Sequence, residues 1–318
     1  MKKTLFFLTM LSLTLTVRAQ WDVQFSDYTS LKSFYNPATS GTDGLLNVNA
    51  AYSMQFAGFD NAPQTMYVGA DMPVYFLSPR HGAGLSFMND KFGIFSTKKV
   101  ALQYAFNMAI GKKKRTRVAI GLQGAVLSEN IDPSQLDTDE GTTSSTSDPA
   151  FPTSQVDGTA FDMGAGVYVY NPNFWGGLSA LHLMSPLIEL GDRYEVQIDP
   201  VYYFMGGCNI KIKNTLFTIT PSLMVMTDCQ SWREDVQCRV SYEYEGRRFY
   251  LGAGYSPDIS TTVMVGGVFH GIGLGYSYQI YTQGLSAVNG SHELVLTYQT
   301  DLDLFKKGKN SHKSIRFL

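Results

Sequence analysis

Residues 271–280 carry the sequence pattern that most constrains how this chain can fold. The odd positions of this stretch hold glycine, serine or glutamine, and the even positions hold Ile272, Leu274, Tyr276, Tyr278 and Ile280. A period of two indicates a β-strand, because neighbouring side chains of a strand point to opposite faces of a sheet. Small or polar residues on one face and apolar residues with tyrosine on the other are typical of a strand in a membrane-spanning barrel.

The same alternation recurs along most of the chain, in stretches separated by residues that favour turns. Strands are predicted over residues 45–54, 64–72, 81–89, 97–110, 116–129, 158–170, 173–182, 199–212, 215–226, 233–244, 247–256, 259–270, 271–280 and 291–303. These make about fourteen strands, an even number that is usual for bacterial outer-membrane barrels. The sequence therefore predicts an all-β fold, a transmembrane antiparallel up-and-down β-barrel over residues 45–303.

The lengths of the predicted connections support this fold, because outer-membrane barrels have short periplasmic turns and longer outer loops. If the first strand starts in the periplasm, the periplasmic set includes residues 111–115, 171–172, 213–214, 245–246 and 270–271. The outer set includes residues 55–63, 130–157, 183–198 and 281–290, interrupted by a short turn at 256–258. A soluble sandwich or a lipocalin-like fold has no reason to sort its connections in this way.

Composition agrees with a surface that faces lipid along a band. Charged residues make up 16% of the chain and aromatic residues 13%, with 30 glycines, whereas soluble proteins carry roughly 25% charged residues. The net charge of -2 argues against a strongly basic nucleic-acid binder. No segment after the amino terminus has the ~20 continuous apolar residues of a spanning helix, so membrane residence must be through strands.

Residues 1–19 have the pattern of a secretory signal peptide. Lys2 and Lys3 form its positive start, residues 5–15 its apolar centre, and Val17 and Ala19 the small residues before a cleavage site after Ala19. A short anchor helix is the alternative, but the apolar run is too short to cross a bilayer. Export of a barrel predicts a location in the outer membrane.

The two ends of the exported chain differ from the barrel in composition. Residues 20–44 mix aromatic and turn-forming residues and are predicted to be an N-terminal periplasmic segment or a partial plug. Residues 304–318 are predicted to be a basic periplasmic C-terminal tail, with Lys306, Lys307, Lys309, Lys313 and Arg316.

The sequence offers no candidate for catalysis, a cofactor or a metal. The five histidines do not pair at ligand spacing, and adjacent residues such as Ser291, His292 and Glu293 diverge in an extended chain and form no relay. A cross-strand pair of Ser277 with His292 stays open. The acidic segment 130–157 lacks the twelve-position loop of an EF-hand calcium site.

The three cysteines show no zinc spacing, and free thiols are preferred over a bridge between Cys229 and Cys238.

The densest basic run lies in the predicted turn at 111–115. It consists of Lys112, Lys113, Lys114, Arg115 and Arg117. One interpretation is a solvated turn that holds its strands at the membrane boundary. The other is a periplasmic patch that binds an acidic partner or lipid headgroups.

Three motifs together resemble the PorP/SprF family. The first is Gln24-Phe25-Ser26-x-Tyr28, followed by Asn36-Pro37-Ala38 and Gly41; the second spans residues 55–65 and contains Gln55, Phe56, Gly58, Phe59 and Pro63; the third is Gly290-Ser291-His292-Glu293-Leu294, preceded by residues 273–278. The resemblance extends from about residue 24 to residue 298. The chain departs from the family pattern at Thr39-Ser40 and in the acidic insertion at 130–157.

The resemblance implies an outer-membrane component of the type IX secretion system of Bacteroidota, which also supports gliding motility in some members. Its implied partners are outer-membrane lipid, periplasmic ring and peptidoglycan-associated subunits, and a secreted cargo protein with a C-terminal domain. A core PorP-like role and a cargo-dedicated SprF-like role are both open. No nucleic-acid partner is expected.

The motif positions also suggest a structural hypothesis. Residues 55–63 are expected to form an outer loop folded inward, anchored by Phe56 and Phe59, with turns set by Gly58 and Pro63. Tyr28, Phe34 and Tyr35 are expected to plug the lumen from below. A docking or anchoring role is favoured over the alternative, a porin or small-solute transporter, because the predicted inward positions are mostly glycine, serine, glutamine and threonine rather than charged ladders.

Overall fold

The computed structural model describes residues 22–59, 61–75, 78, 80–111, 115–133, 152, 154–191, 194–282 and 289–301. Its strands are β1 (Leu46–Met54), β2 (Gln64–Pro73), β3 (His81–Phe92), β4 (Phe95–Ile110), β5 (Thr116–Ile131), β6 (Val156–Tyr170), β7 (Phe174–Leu181), β8 (Leu187–Leu190), β9 (Tyr194–Gln197), β10 (Val201–Cys208), β11 (Ile210–Lys211), β12 (Phe217–Thr227), β13 (Trp232–Tyr244), β14 (Arg247–Ser256), β15 (Ser260–Phe269), β16 (Ile272–Tyr281) and β17 (Ser291–Thr300). A one-turn helix, α1 (Lys32–Tyr35), and a 3₁₀ helix, Pro37–Thr39, precede β1.

The wall is a closed antiparallel barrel. Sequential strands pair with each other, β1 pairs with β17, and β10 pairs with both β7 and β12, which closes the sheet. Strands β10 and β11 are two parts of one wall strand, interrupted at Asn209, so the wall has 14 strands. The predicted barrel is confirmed, and each predicted stretch coincides with a wall strand. Closure leaves no open edge strand in the wall, as a sheet in lipid requires.

The two faces of the wall follow the predicted alternation. In β16, Leu274 is 54% exposed and points outward, whereas Ser277 is 2% exposed and points into the lumen. Outward aromatic side chains lie near both ends of the wall, at Tyr52, Tyr255 and Trp232 and, at the other end, at Phe217, Tyr242 and Phe249, and a few, such as Tyr276, lie between. Aromatic residues at both ends of an outward apolar face are typical of a barrel in a membrane.

The connections sort less regularly than the sequence predicts. The end that holds the first residue of β1 and the last residue of β17 has short turns, including 171–173, 245–246 and 270–271; we call it the periplasmic end. The opposite end, the outer end, has the four predicted long connections. It also has three short ones, at 93–94, 228–231 and 257–259. The predicted alternation therefore holds for only part of the outer end.

Strands β4, β5 and β6 are the longest of the wall, and β6 extends well beyond β7 at the outer end. They contain 16, 16 and 15 residues, although about 9–11 residues suffice to cross a membrane. Their upper parts join the β8–β9 hairpin in an apolar cluster that includes Leu127, Ile188 and Leu190. We call residues 95–99, 127–131 and 156–160 together with β8–β9 the outer lobe.

Residues 22–44 lie inside the barrel and are called the inner segment. Among the residues that the structure describes, no helix has the length and hydropathy needed to cross a membrane.

Candidate functional site

The inner segment forms a core with the wall in the middle of the lumen. Phe25, Tyr28 and Tyr35 are each 0% exposed. The Phe34 ring packs edge-on against Tyr67 of β2, with ring centroids 5.1 Å apart, and Tyr35 packs in the same way against Tyr203 of β10 at 5.4 Å. Such edge-to-face pairs stabilise a core beyond their buried area. The lumen at this level is therefore occupied by packed side chains.

Glu293 of β17 holds the start of the inner segment. Its carboxylate is 3% exposed. It accepts hydrogen bonds from the backbone N–H groups of Ser26 at 2.6 Å and Asp27 at 2.8 Å. Glu293 therefore helps to fix the position of the turn at residues 26–30.

A buried ion pair with β13 fixes the same turn. The Arg239 guanidinium of β13 donates to the carboxylate of Asp27, whose side chain is 1% exposed. Asp27 also accepts hydrogen bonds from the Ser30 N–H and hydroxyl, each at 2.9 Å, and Arg239 lies over the Tyr250 ring at 4.9 Å. A buried charge pair with its remaining lone pairs satisfied is costly to break by removing one partner.

Asn36 attaches the middle of the inner segment to β6 and β7. Its side-chain amide donates to the carbonyls of Val167 at 3.1 Å and Leu178 at 3.3 Å. Its side-chain oxygen accepts from the Ala38 N–H at 2.9 Å and thereby caps the 3₁₀ helix. Glycine in the wall makes room for this contact, because a Cβ atom at Gly166 would overlap the Asn36 side chain.

The carboxyl end of the inner segment reaches the periplasmic end. The Gly41 N–H donates to Asp71 of β2 at 2.8 Å, and Tyr75, in the turn after β2, donates from its hydroxyl to the Gly44 carbonyl at 2.7 Å. Gly41 has a φ of +68° and lies against the backbone of Met72, a conformation and a closeness that favour glycine. The segment is thus attached at each level of the lumen.

The comparison with family models decides the identity of the chain. The model described as "Type IX secretion system membrane protein PorP/SprF" matches residues 17–298. This chain belongs to the PorP/SprF family. A search among curated proteins finds no match.

Solved structures that this PorP/SprF barrel is similar to are themselves barrels. They include a TodX monoaromatic hydrocarbon channel (deltaS2 mutant), with a TM-score of 0.47 and 11% identity over 84% of this chain and 93% of that one. A Pseudomonas aeruginosa FadL homologue gives 0.46 and 11% over 84% and 92%, and the CymD monoaromatic hydrocarbon channel 0.44 and 12% over 85% and 91%. Because all three TM-scores are below 0.5, nothing about function is drawn from them.

The first and third PorP/SprF motifs meet inside the lumen. Glu293 binds the backbone next to Tyr28, and the Tyr28 hydroxyl donates to Ser222 Oγ at 2.9 Å. Pro37 is the first residue of the 3₁₀ helix that Asn36 caps. These motif residues, which are far apart in the chain, therefore form one interface between the inner segment and the wall.

The second and third motifs meet at the outer end. The Phe56 ring stacks on Tyr281 with centroids 4.6 Å apart, and the Phe56 N–H donates to Ser291 Oγ at 3.1 Å. The Gln55 N–H donates to the Pro63 carbonyl at 2.9 Å and closes the loop.

Of the two phenylalanines expected to anchor the loop, Phe56 makes these contacts, whereas the side chain of Phe59 is 52% exposed. Gly58, with a φ of +105°, provides the bend between the two phenylalanines.

The structure excludes two pairings that the sequence left open, one of Ser277 with His292 and one of Cys229 with Cys238. His292 points outward and lies 2.7 Å from the Tyr276 hydroxyl, whereas Ser277 points inward opposite Glu293, so Ser277 and His292 do not pair. Cys229 and Cys238 are free thiols rather than a bridge. Among the described residues, no group of three or more metal-binding side chains comes together.

The predicted basic patch is only partly visible. Lys112, Lys113 and Lys114 lie outside the described residues. Arg115 and Arg117 are exposed at the periplasmic end, at the start of β5. Their position agrees with the predicted side of the membrane, and their role stays a prediction.

Sequence reasoning missed the charges inside the barrel. The expectation of a lumen lined mostly by glycine and small polar residues is wrong at Asp71, Asp162, Asp235 and Arg239, all buried in the wall. The available signal was a charge at an inward position within a predicted strand, as at Arg239 between Cys238 and Val240. Such positions are costly unless a partner is present, and here the inner segment supplies several of the partners.

A second polar group lies at the outer end. His182, directly after β7, has Nδ1 2.9 Å from a carboxylate oxygen of Asp162 and Nε2 3.4 Å from one of Asp22. Burial lowers the pKa of His182, but the contacts with the two carboxylates outweigh burial and raise the pKa above its usual value. The start of the inner segment is therefore tied to the base of the connection that carries β8–β9.

Proposed function

We propose that this PorP/SprF protein resides in the outer membrane and serves the type IX secretion machinery as a docking or anchoring site rather than as a conduit. The proposed partners are periplasmic ring and peptidoglycan-associated subunits, or a secreted cargo with a C-terminal domain. Membership of a family of secretion-system membrane proteins supports this role. We propose no catalytic activity.

The observation that carries the proposal is the occupied lumen. A solute that crosses the barrel has to displace the aromatic core around Phe34 and Tyr35 and the charged contacts of Asp27. Removal of one partner from a buried ion pair costs about 3–5 kcal/mol, so the segment is expected to stay in place. A barrel filled in this way offers its two rims, not its interior, to other molecules.

The periplasmic rim offers the clearest docking surface. It exposes Arg115 and Arg117 beside the turn that holds Lys112, Lys113 and Lys114. Strand β17 ends at the same rim, and the basic residues of the sequence 304–318 come after it in the chain. Clustered positive charge favours an acidic protein surface or anionic headgroups. The outer lobe is the corresponding surface for a cargo that has already crossed the membrane.

Co-purification from outer membranes tests the proposal. The tagged protein is purified in mild detergent, and the bound proteins are identified by mass spectrometry. We expect secretion-system subunits with the wild type and a lower yield when Lys112, Lys113, Lys114, Arg115 and Arg117 are all changed to Gln. A second variant changes Lys306, Lys307, Lys309, Lys313 and Arg316 to Gln, which removes the same number of charges from the tail and shows whether the tail contributes to the same surface. Absence of such subunits from the wild-type sample contradicts the docking role.

The alternative function is a porin or small-solute transporter. The charged residues in the lumen and a cavity of ≈ 360 Å³ at the periplasmic end, lined by Lys32, Asp71 and Arg248 among others, are the observations that favour it. Single-channel conductance separates the two functions. The docking role predicts no steady open pore, whereas a porin predicts continuous conductance in the wild type.

A further inference from the structure

We infer that the inner segment runs through the barrel from the outer end to the periplasmic end, so that the exported chain begins on the outer side of the membrane. This goes beyond the docking role and reverses the expectation that residues 20–44 enter the lumen from the periplasm.

The first contacts of the inner segment lie at the outer end of the wall. The Tyr203 hydroxyl, near the start of β10, donates to Asp22 at 2.6 Å, and His182, directly after β7, lies 3.4 Å from the same carboxylate. Leu181 of β7 pairs with Val201 of β10, and the long connection 182–200 joins these two strands. Asp22 therefore lies at the level where the wall gives way to outer loops.

The inner segment ends much nearer the periplasmic end than it begins, although Tyr35 returns to the level of Tyr203 on the way. Ser26 and Asp27 bind Glu293, the third residue of β17 from its outer end. Ser40 then donates from its hydroxyl to Gln103 of β4 at 2.8 Å. The Gly44 carbonyl finally accepts from Tyr75 in a periplasmic turn. The chain direction is thus given by independent contacts with several strands.

The occupied lumen prevents the start of the chain from turning back. Below Asp22, the aromatic core that includes Phe25, Phe34 and Tyr35 fills the lumen. Cleavage after Ala19, as the sequence predicts, leaves only Gln20 and Trp21 before Asp22, and two residues reach at most about 7 Å. Any extension added to the new amino terminus has only the outer opening available to it.

The inner segment consequently connects the outer lobe with the periplasmic rim. At its start it contacts His182, at the base of the connection that carries β8–β9, and Asp162 of β6 lies on the other side of the same imidazole. At its end it contacts Asp71 and Tyr75. One stretch of chain therefore contacts buried residues near both ends of the barrel.

Surface labelling of intact cells tests this topology. A ten-residue epitope is inserted between Ala19 and Gln20, and cells are stained with an antibody before and after permeabilisation of the outer membrane. We expect staining of intact cells. The same epitope placed after Leu318 is the matched control and is expected to stain only after permeabilisation, because β17 ends at the periplasmic end.

A native cysteine reports the orientation of the barrel. Cys229 is exposed in the outer turn 228–231. In a protein with Cys208→Ser and Cys238→Ser, a membrane-impermeant maleimide is expected to label Cys229 on intact cells. If Cys229 is labelled but the amino-terminal epitope is reached only after permeabilisation, the inference is wrong. If Cys229 is also labelled only after permeabilisation, the assignment of the outer end is wrong, and so is the inference.

A smaller probe covers the case in which the epitope disturbs folding. Gln20→Cys in a protein with Cys208→Ser, Cys229→Ser and Cys238→Ser adds one thiol at the start of the chain. Migration as a folded barrel in unboiled gels verifies the fold of each variant. Labelling of Gln20→Cys on intact cells to at least half the level obtained after permeabilisation supports the inference, and labelling only after permeabilisation overturns it. Neither result depends on whether secretion subunits co-purify.

Discussion

The membrane band of the barrel and the outer lobe are built from the same strands, β4, β5 and β6, with opposite polarity. In the band, Leu122 of β5 points outward and is 53% exposed, while Gln123 points inward and is 3% exposed. A few residues further along β5, Leu127 points inward and is 1% exposed, while Ser128 points outward. One strand thus changes from the pattern of a lipid-facing wall to that of a soluble sheet.

This reversal of polarity shows where the outer face of the strand passes from lipid into water. Lipid stabilises apolar side chains on the outside of the band, so the band places its polar groups inside and pairs them with the inner segment. Above the membrane, water contacts the outer face, and the apolar residues are buried under β8–β9 instead. The level of the membrane surface on this side of the barrel is therefore visible in β5 between Val126 and Ser128.

The largest expected effect concerns the polar interior of the band. Arg239→Ala leaves Asp27 buried without its cation and is expected to destabilise the contact between inner segment and wall by about 3–5 kcal/mol. Guanidinium unfolding followed by tryptophan fluorescence measures the loss. Asp27→Asn with Arg239→Met removes both charges and is expected to lose less. Equal losses in the single and double variants contradict a coupled pair.

A matched pair of outward substitutions on β5 locates the membrane surface. Leu122→Arg places a charge in lipid and is expected to cost about 2–4 kcal/mol near the midplane of the bilayer. Ser128→Arg, on the same face of the same strand, lies in water and is expected to change the free energy of unfolding by no more than about 0.5 kcal/mol. Unfolding in vesicles compares the two, and equal costs place residue 128 within the lipid.

The apolar interior of the outer lobe gives a smaller effect. Ile188 is 0% exposed, and Ile188→Val is expected to destabilise the lobe by about 0.5–1.5 kcal/mol. Faster proteolysis in the connection 183–198, with unchanged migration of the folded barrel, is the expected result. Loss of the whole barrel instead means that lobe and band unfold as one unit.

The smallest change is a pH effect at the junction of the two regions. Contacts with Asp162 and Asp22 raise the pKa of His182 above 6.5, against the effect of burial. Protonated His182 therefore stabilises the folded state fully below pH 6.5, and this stabilisation is lost as the pH rises through the higher pKa of the folded state. Lys99 lies near the same group and opposes the shift. Proteolysis of the connection 183–198 is expected to become faster above neutral pH, and His182→Gln is expected to remove this dependence. A flat wild-type profile contradicts the assignment.

Much of the wall follows from local sequence. Each strand was predictable from alternation alone, as in residues 271–280, because the pleat imposes a period of two whatever the partner strand is. The upper ends of β4 to β6 were missed by a few residues, since there the alternation continues but the apolar face changes sides. These strand ends mix charged and apolar residues and have no face in contact with lipid, so in the sequence they resemble ordinary loops.

The sequence motifs named residues of the candidate site, but the contacts between these residues could not be predicted. The motif residues Asn36, Phe56 and Glu293 all take part in contacts between the inner segment, the first outer loop and the wall. The Phe59 side chain does not, because about half of its surface is exposed to solvent. Arg239 escaped notice because its partner Asp27 is 212 residues away in the chain.

The amino-acid sequence by itself therefore determined that the chain is a barrel, about how many strands its wall has and which family it resembles, since these depend on the alternation and composition of neighbouring residues; the β8–β9 hairpin was not predicted. Only the tertiary structure decided that residues 22–44 fill the lumen, in which direction they run, and where the polarity of the wall reverses. These features depend on contacts between residues that are far apart in the chain and that meet only when the barrel closes. A buried charge, or a strand face whose polarity is reversed, is stable only when its partner is in place.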